Sequence, residues 1–207
     1  AVNVLPLPEV DLITDLLQAC VPMIVNFSDL SIDAVSWDWN LGDGTTSNVK
    51  DLTHIYTQPG VYDVSLTISS SLGCSNTVTN IGMIEVFALP VADFIPTPTQ
   101  GTQAEALFNF NNTSSNAVSW MWDFGDGSGS IDEFPSYLFS DTGWHKVSLI
   151  AISAEGCMDT FENEVYIAPN LSIFFPNAFT PNGDYHNDFF GGVGQFEAIK
   201  EFELMIF

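Results

Sequence analysis

One eight-residue phrase occurs twice in this chain, and it restricts the fold more than any other feature. Trp37-Asp38-Trp39-Asn40-Leu41-Gly42-Asp43-Gly44 returns as Trp120-Met121-Trp122-Asp123-Phe124-Gly125-Asp126-Gly127, at an offset of 83 residues. The offset runs without a gap from 26/109 to 77/160, and 20 of those 52 positions are identical. A match of that length makes the chain a tandem repeat. Tryptophans at alternate positions lie on one face of a strand, where each indole can bury roughly 150–250 Å². Gly-Asp-Gly then reverses the chain, because glycine tolerates positive φ and aspartate bonds its own backbone in turns.

Around the phrase the apolar pattern has a period of two. In the first repeat Met23, Val25 and Phe27 alternate with less apolar neighbours, and Val35, Trp37 and Trp39 follow. His54-Ile55-Tyr56 forms a short strand before a Pro59-Gly60 turn, and Tyr62, Val64, Leu66 and Ile68 alternate along a longer one. A last strand covers about 76–87. The second repeat supplies the same inward positions with Ala106, Phe108 and Phe110, then Val118, Trp120 and Trp122, then His145, Val147, Leu149 and Ala151. Six or seven short strands with regular turn signals, and no convincing helical period, predict an antiparallel β-sandwich of the immunoglobulin type. The fold class is therefore all-β, with sandwiches over 9–90 and 91–169. Residues 4–12 resemble 86–94, so residues 1–8 read as the last strand of a preceding repeat. His54 aligns with Tyr137 and Tyr62 with His145, an exchange that suits packing and one hydrogen bond better than catalysis or metal binding.

Charge excludes some partners. The chain carries 26 acidic residues against three lysines and no arginine, for a net charge of −23. Such a chain cannot neutralise phosphates, so nucleic acid is excluded as a partner and anionic membrane is disfavoured. Basic partners and divalent cations gain plausibility. No apolar run reaches the length of a membrane span.

Of the three cysteines, Cys74 and Cys157 are repeat-equivalent and both follow glycine, whereas Cys20 aligns with Gln103. The expected pairing is a Cys20–Cys74 disulfide within the first repeat, with Cys157 free or paired between chains. In the chain-entropy account it would contribute about 4 kcal/mol and imply an oxidising compartment. The alternative is three thiols in a reduced protein.

The order Trp-x-Trp-Asp-Phe-Gly-Asp-Gly, His-x-Tyr, Gly-x-Tyr-x-Val-x-Leu and Gly-Cys resembles the PKD domain in its bacterial cell-surface form. The resemblance covers 9–169. The first repeat departs from it with Asn40-Leu41 for Asp-Phe, and the second with Tyr137-Leu138-Phe139 for His-x-Tyr. It implies the sandwich fold and use as an extracellular spacer or adhesive, with no chemistry of its own.

From Asn170 the repeat gives way. Pro176-Asn177-Ala178-Phe179-Thr180-Pro181-Asn182-Gly183-Asp184, followed by Asn187-Asp188-Phe189, resembles the opening of the gliding-motility-associated C-terminal domain of Bacteroidota. Tyr185 stands where glycine is usual. On this resemblance 170–207 is the first part of a β-sandwich sorting domain, cut short after an alternating stretch at 202–206. It implies a type B sorting signal of the type IX secretion system in a protein similar to the SprB-type adhesins. The implied partners are the translocon and a PorP/SprF-like outer-membrane protein, and the implied location is the cell surface after export across the outer membrane.

Asp38 aligns with Met121, so no acidic pair is common to both repeats, and no Ser/His/Asp or Cys/His arrangement recurs. No enzyme activity and no cofactor are expected. Asn182, Asp184, Asn187 and Asp188 crowd oxygen ligands into seven residues, which suits calcium, although the bidentate acid of a calcium loop is missing. Turn bonds to the backbone would use the same side chains. Three function classes stay open: the end of an adhesin with a sandwich stalk and an export signal, a glycan-binding module, and the ancillary tail of a secreted hydrolase. Trp144, in the place of Val61, is the one tryptophan outside the repeated core pattern.

Overall fold

The computed structural model describes residues 6–170, together with a two-residue ladder between Ile173–Phe174 and Val193–Gly194. Every regular element among the described residues is a strand. The chain divides into two compact units. One takes in the residues up to Val91 with 116–118 and 151–159, and the other takes in 92–115, 119–150 and the residues from Thr160 onward.

The first repeat contains β1 (Leu12–Thr14), β2 (Gln18–Cys20), β3 (Met23–Asp29), β4 (Ala34–Asn40), β5 (Thr46–Ser47), β6 (Leu52–Tyr56), β7 (Gly60–Ser70) and β8 (Ser75–Phe87). They form a three-stranded sheet in the order β1-β3-β6 and a five-stranded sheet in the order β2-β8-β7-β4-β5. Pairing is antiparallel except at β2, which runs parallel to the end of β8 and sets Cys20 opposite Phe87. The outermost strands of the larger sheet are short, three residues in β2 and two in β5.

The second repeat reproduces this plan with β9 (Phe94–Thr97), β10 (Gln100–Thr102), β11 (Leu107–Asn112), β12 (Ser119–Asp123), β13 (Gly129–Ser130), β14 (Ser136–Leu138), β15 (Gly143–Ile152) and β16 (Met158–Ala168). Its sheets are ordered β9-β11-β14 and β10-β16-β15-β12-β13, with β10 parallel to β16. The remaining two strands are β17 (Ile173–Phe174) and β18 (Val193–Gly194).

Alternation explains the cores. In the first sandwich Met23, Val25 and Phe27 face Trp39, Leu41, Tyr56, Val64, Leu66, Ile68, Ile84 and Val86, all at 3% exposure or less. Each such side chain contributes roughly 1.5–3 kcal/mol on burial. The second core is richer in rings. Phe124 and Phe139 replace Leu41 and Tyr56, and Phe94 packs edge-on against Trp122 with centroids 5.0 Å apart. Two expected core positions are instead on the surface, since Val35 and Val118 are 57% and 61% exposed. A register shift in the β4–β7 ladder between Ala34 and Ser36 takes Val35 out of the alternation, and Val118 precedes the first residue of β12.

The cysteines also correct the expectation. Cys20 is bonded to Cys157, and Cys74 carries the free thiol. A Cys20–Cys74 bond is ruled out by the sheet itself. Cys20 sits beside Phe87 at the end of β8, while Cys74 immediately precedes its first residue, Ser75. Thirteen residues of extended chain separate those ends by about 40 Å, whereas a disulfide needs Cα atoms within roughly 7 Å. Cys20 and Cys157 both belong to the first compact unit.

Candidate functional site

The repeated phrase builds the same small polar site in each sandwich. Asn40 and Asp123 accept the N–H of Gly42 and Gly125 on Oδ1, at 3.0 and 2.8 Å. Asp43 and Asp126 likewise accept the N–H of Thr45 and Ser128 at 2.9 Å. The turn closes with Leu41 N–H donating to Thr45 and Phe124 N–H to Ser128, both at 3.0 Å. Glycine is required at the first turn position. Gly42 and Gly125 have φ of 86° and 83°, and an added Cβ would lie 2.6 Å from the Asp63 carbonyl or 2.4 Å from that of Lys146.

Each turn aspartate has a second oxygen, and it anchors the smaller sheet. Asp43 Oδ2 is 2.6 Å from His54 Nε2, and Asp126 Oδ2 accepts the Tyr137 hydroxyl at 2.6 Å. The exchanged residue at the other position behaves in the same way. Tyr62 donates its hydroxyl to the Gln58 carbonyl at 2.8 Å, and His145 Nε2 donates to the Asp141 carbonyl at 3.0 Å. Both imidazoles are therefore structural, each making the bond that a tyrosine makes in the sister repeat. At Asp43 burial pushes the pKa up, and the N–H of Thr45 and the His54 ring outweigh it, so the carboxyl titrates below its ordinary value. At Asp126 the Tyr137 hydroxyl is the main cause of a depression in the same sense, followed by the Ser128 N–H.

The indoles show one asymmetry. Trp39 Nε1 donates to the Val49 carbonyl at 3.0 Å, and Trp122 Nε1 to that of Asp132 at 2.8 Å. Trp37 Nε1 donates to Asp29 Oδ2 at 2.7 Å. Among the described residues Trp120 Nε1 is the one buried side-chain polar atom without a hydrogen-bond partner. The residue equivalent to Asp29 is Asn112, whose carbonyl oxygen already accepts the Ser114 N–H at 2.9 Å. Asp29 has a free second oxygen for the indole, whereas Asn112 has an amide nitrogen, which only donates.

No reactive constellation forms around these groups. Among the described residues no three His, Cys, Asp or Glu side chains converge as metal ligands would. One groove of about 680 Å³, lined by Pro98, Gln100, Thr102, Glu105 and Leu107 among others, holds a single acid and no imidazole. Trp144 is 66% exposed and lies against Tyr166 at 5.0 Å between ring centroids. Among the described residues no helix is long and apolar enough to cross a membrane. The oxygen-rich set Asn182, Asp184, Asn187 and Asp188, and the sorting motif Pro176, Asn177, Phe179, Pro181, Asn182, Gly183, Asp184, Asn187, Asp188 and Phe189, lie outside the described residues.

Two filled sandwiches whose polar groups close turns and tie sheets together define a tandem array of immunoglobulin-like modules. The chain belongs to the PKD domain family, whose model matches residues 6–86 and again 88–168. Such domains are non-catalytic accessory modules of cell-surface and secreted proteins. Collagenase ColA of Bacillus cereus is 49% identical over 39 residues, 19% of this chain and 4% of the collagenase, so the chain spans a small fraction of that relative. Two solved structures are similar over one repeat. The PKD1 domain of the Vibrio cholerae metalloprotease PrtV is 28% identical with a TM-score of 0.35, covering 39% of this chain and 98% of that one. The PKD1 domain of Vibrio anguillarum Epp is 26% identical with a TM-score of 0.35, covering 40% and 96%.

Proposed function

We propose that this segment is the stalk and the start of the export tail of a large cell-surface adhesin. The observation that carries the proposal is the Pro-Asn-Ala-Phe-Thr-Pro-Asn-Gly-Asp stretch at 176–184, which follows two PKD modules and resembles the type B sorting signals of type IX secretion. The sandwiches hold the adhesive part of the protein away from the membrane, while the region from Asn170 engages the translocon and a PorP/SprF-like outer-membrane protein. Calcium at Asn182, Asp184, Asn187 and Asp188 belongs to this proposal as a structural ion of the tail. Three features support the reading: PKD membership, turn aspartates fully engaged in structural bonds, and a disulfide suited to an oxidising compartment.

The test is made in the native host. Deleting the polypeptide from Asn170 onward should abolish display of an epitope placed upstream, measured by protease accessibility on intact cells. A reporter carrying 170–207 with its natural continuation should reach the surface. Continued display of the deleted form would defeat the sorting role. A second reading, the ancillary tail of a secreted hydrolase, draws on the 49% identity to a collagenase segment. The sequence upstream of Ala1 separates the two: further repeats support the adhesin, and a catalytic domain supports the hydrolase.

A further inference from the structure

Cys74 and Cys157 occupy the same place in their repeats, and the hairpins that present them are built alike. A glycine with positive φ precedes each cysteine, Gly73 at 80° and Gly156 at 83°. The hydroxyls of Ser70 and Ser153 accept the cysteine N–H at 3.3 and 3.2 Å. Each serine N–H donates back to the cysteine carbonyl at 2.8 Å. Only the sulfurs differ. Cys157 is bonded to Cys20 and 1% exposed, while Cys74 is free and half-buried, two residues along the chain from Leu72, which is 65% exposed.

The bonded hairpin shows what this position receives. Its partner is the last residue of a three-residue strand lying parallel to the final strand of a sandwich. No such partner for Cys74 exists within the described chain. Cys20 is already bonded and lies about 40 Å along the sheet, and the place of Cys20 in the second repeat is held by Thr102, which lies opposite Ala168 as Cys20 lies opposite Phe87.

We infer that Cys74 forms a disulfide with the cysteine at the Cys20 place of another PKD module, in the same polypeptide or in a second one. The inference rests on reading the chain as one stretch of a repeat array, and it is independent of how the protein is exported. The bond joins Sγ to Sγ. Each thiol gives up its proton, and the two electrons pass to a disulfide oxidant, an oxidoreductase or oxidised glutathione, which is released as two thiols.

The test mixes the wild-type chain, which offers Cys74, with a Cys74→Ser/Cys157→Ser chain, which offers Cys20 alone, in a glutathione redox buffer. Products are resolved on non-reducing gels and by peptide mapping. The expected product is a one-to-one dimer containing a Cys20–Cys74 peptide, in excess over the glutathione adduct of Cys74. A Cys20→Ser/Cys74→Ser chain, which offers Cys157 alone, should give no such dimer. Capture of glutathione only, or equal coupling to both donors, overturns the inference. Because losing Cys157 can loosen the donor, a second measurement uses no variant. In the full-length protein isolated from its host without reductant, Cys74 should resist alkylation and map to a peptide with the Cys-x-Pro pattern of 20–22. A Cys74 that alkylates there refutes the proposal, whatever the donors do, and neither readout depends on surface display.

Discussion

Replacing Asn112 with aspartate should stabilise the second sandwich, and the first sandwich supplies the template. Asp29, 3% exposed, divides its oxygens between the Ser31 N–H at 3.0 Å and the Trp37 indole at 2.7 Å. Asn112 makes the first of these bonds to Ser114 and leaves the Trp120 indole without an acceptor. A buried donor left unpaired costs about 1–3 kcal/mol, and a bond to a charged acceptor contributes about 1.5–3 kcal/mol. Desolvating a carboxylate at this half-buried position takes back part of that gain. The surroundings favour the change, because Asp51, which accepts the Asp29 N–H, is replaced in the second repeat by Phe134, and no second carboxylate lies at the equivalent place. The net expectation is about 1–2 kcal/mol of added stability, or roughly a tenfold fall in the population of the open state. Amide exchange of the intact chain, read peptide by peptide, is the assay. Peptides covering Phe108, Phe110, Val147 and Leu149 should exchange about tenfold more slowly, with those covering Val25, Phe27 and Leu66 unchanged. The mirror variant Asp29→Asn should speed exchange in the first sandwich by a similar factor. If Asn112→Asp is neutral while Asp29→Asn is costly, water already satisfies Trp120 and the reasoning fails. If both are neutral, the indole bonds contribute nothing to stability.

Four further outcomes are expected. Gly125→Ala should cost about 3 kcal/mol in thermal denaturation and Gly127→Ala about 1, because both have positive φ but only the former Cβ strikes a carbonyl. His54→Tyr, which copies Tyr137, should stay within about 0.5 kcal/mol of wild type, whereas Asp43→Ala should cost more by releasing both the turn and the ring. The depressed pKa of Asp43 and Asp126 means that their contribution is fully present above the unfolded value of about 3.9. It is lost as pH falls through the folded value, so both sandwiches should weaken below about pH 4 in acid titrations followed by circular dichroism. Alkylation of the 207-residue segment produced on its own, denatured but unreduced, should label Cys74 alone, with Cys20 and Cys157 becoming reactive after reductant.

The repeat, the paired tryptophans and the alternating strands were legible because period-two patterning and Gly-Asp-Gly turns are local signals, and local signals dictated the cores. The His/Tyr exchange was legible as well: two residue types that trade places can share only packing and a hydrogen bond. Long-range placement was not. Gln18–Cys20 is too short to announce itself as a strand, and its parallel seat beside the end of β8 decides the cysteine pairing. The exposure of Val35 follows from a ladder irregularity that leaves no mark in composition. Asp29, buried beneath an indole, reads in the sequence as an ordinary surface acid, and its significance emerges only from the contrast with Asn112.

The border of the larger sheet bears on how such chains survive their own redundancy. Sister modules linked end to end meet at high local concentration while newly made, and a long bare border on either would invite strand exchange with its neighbour. The three residues of β2 cover only Glu85–Phe87 of the thirteen-residue β8, and the border left bare is broken at Gly82, where a φ of 61° and a shift in the β7–β8 ladder bend the strand away from flat pairing with a neighbour. That geometry lets a polypeptide repeat itself many times while each copy still closes on its own sheets.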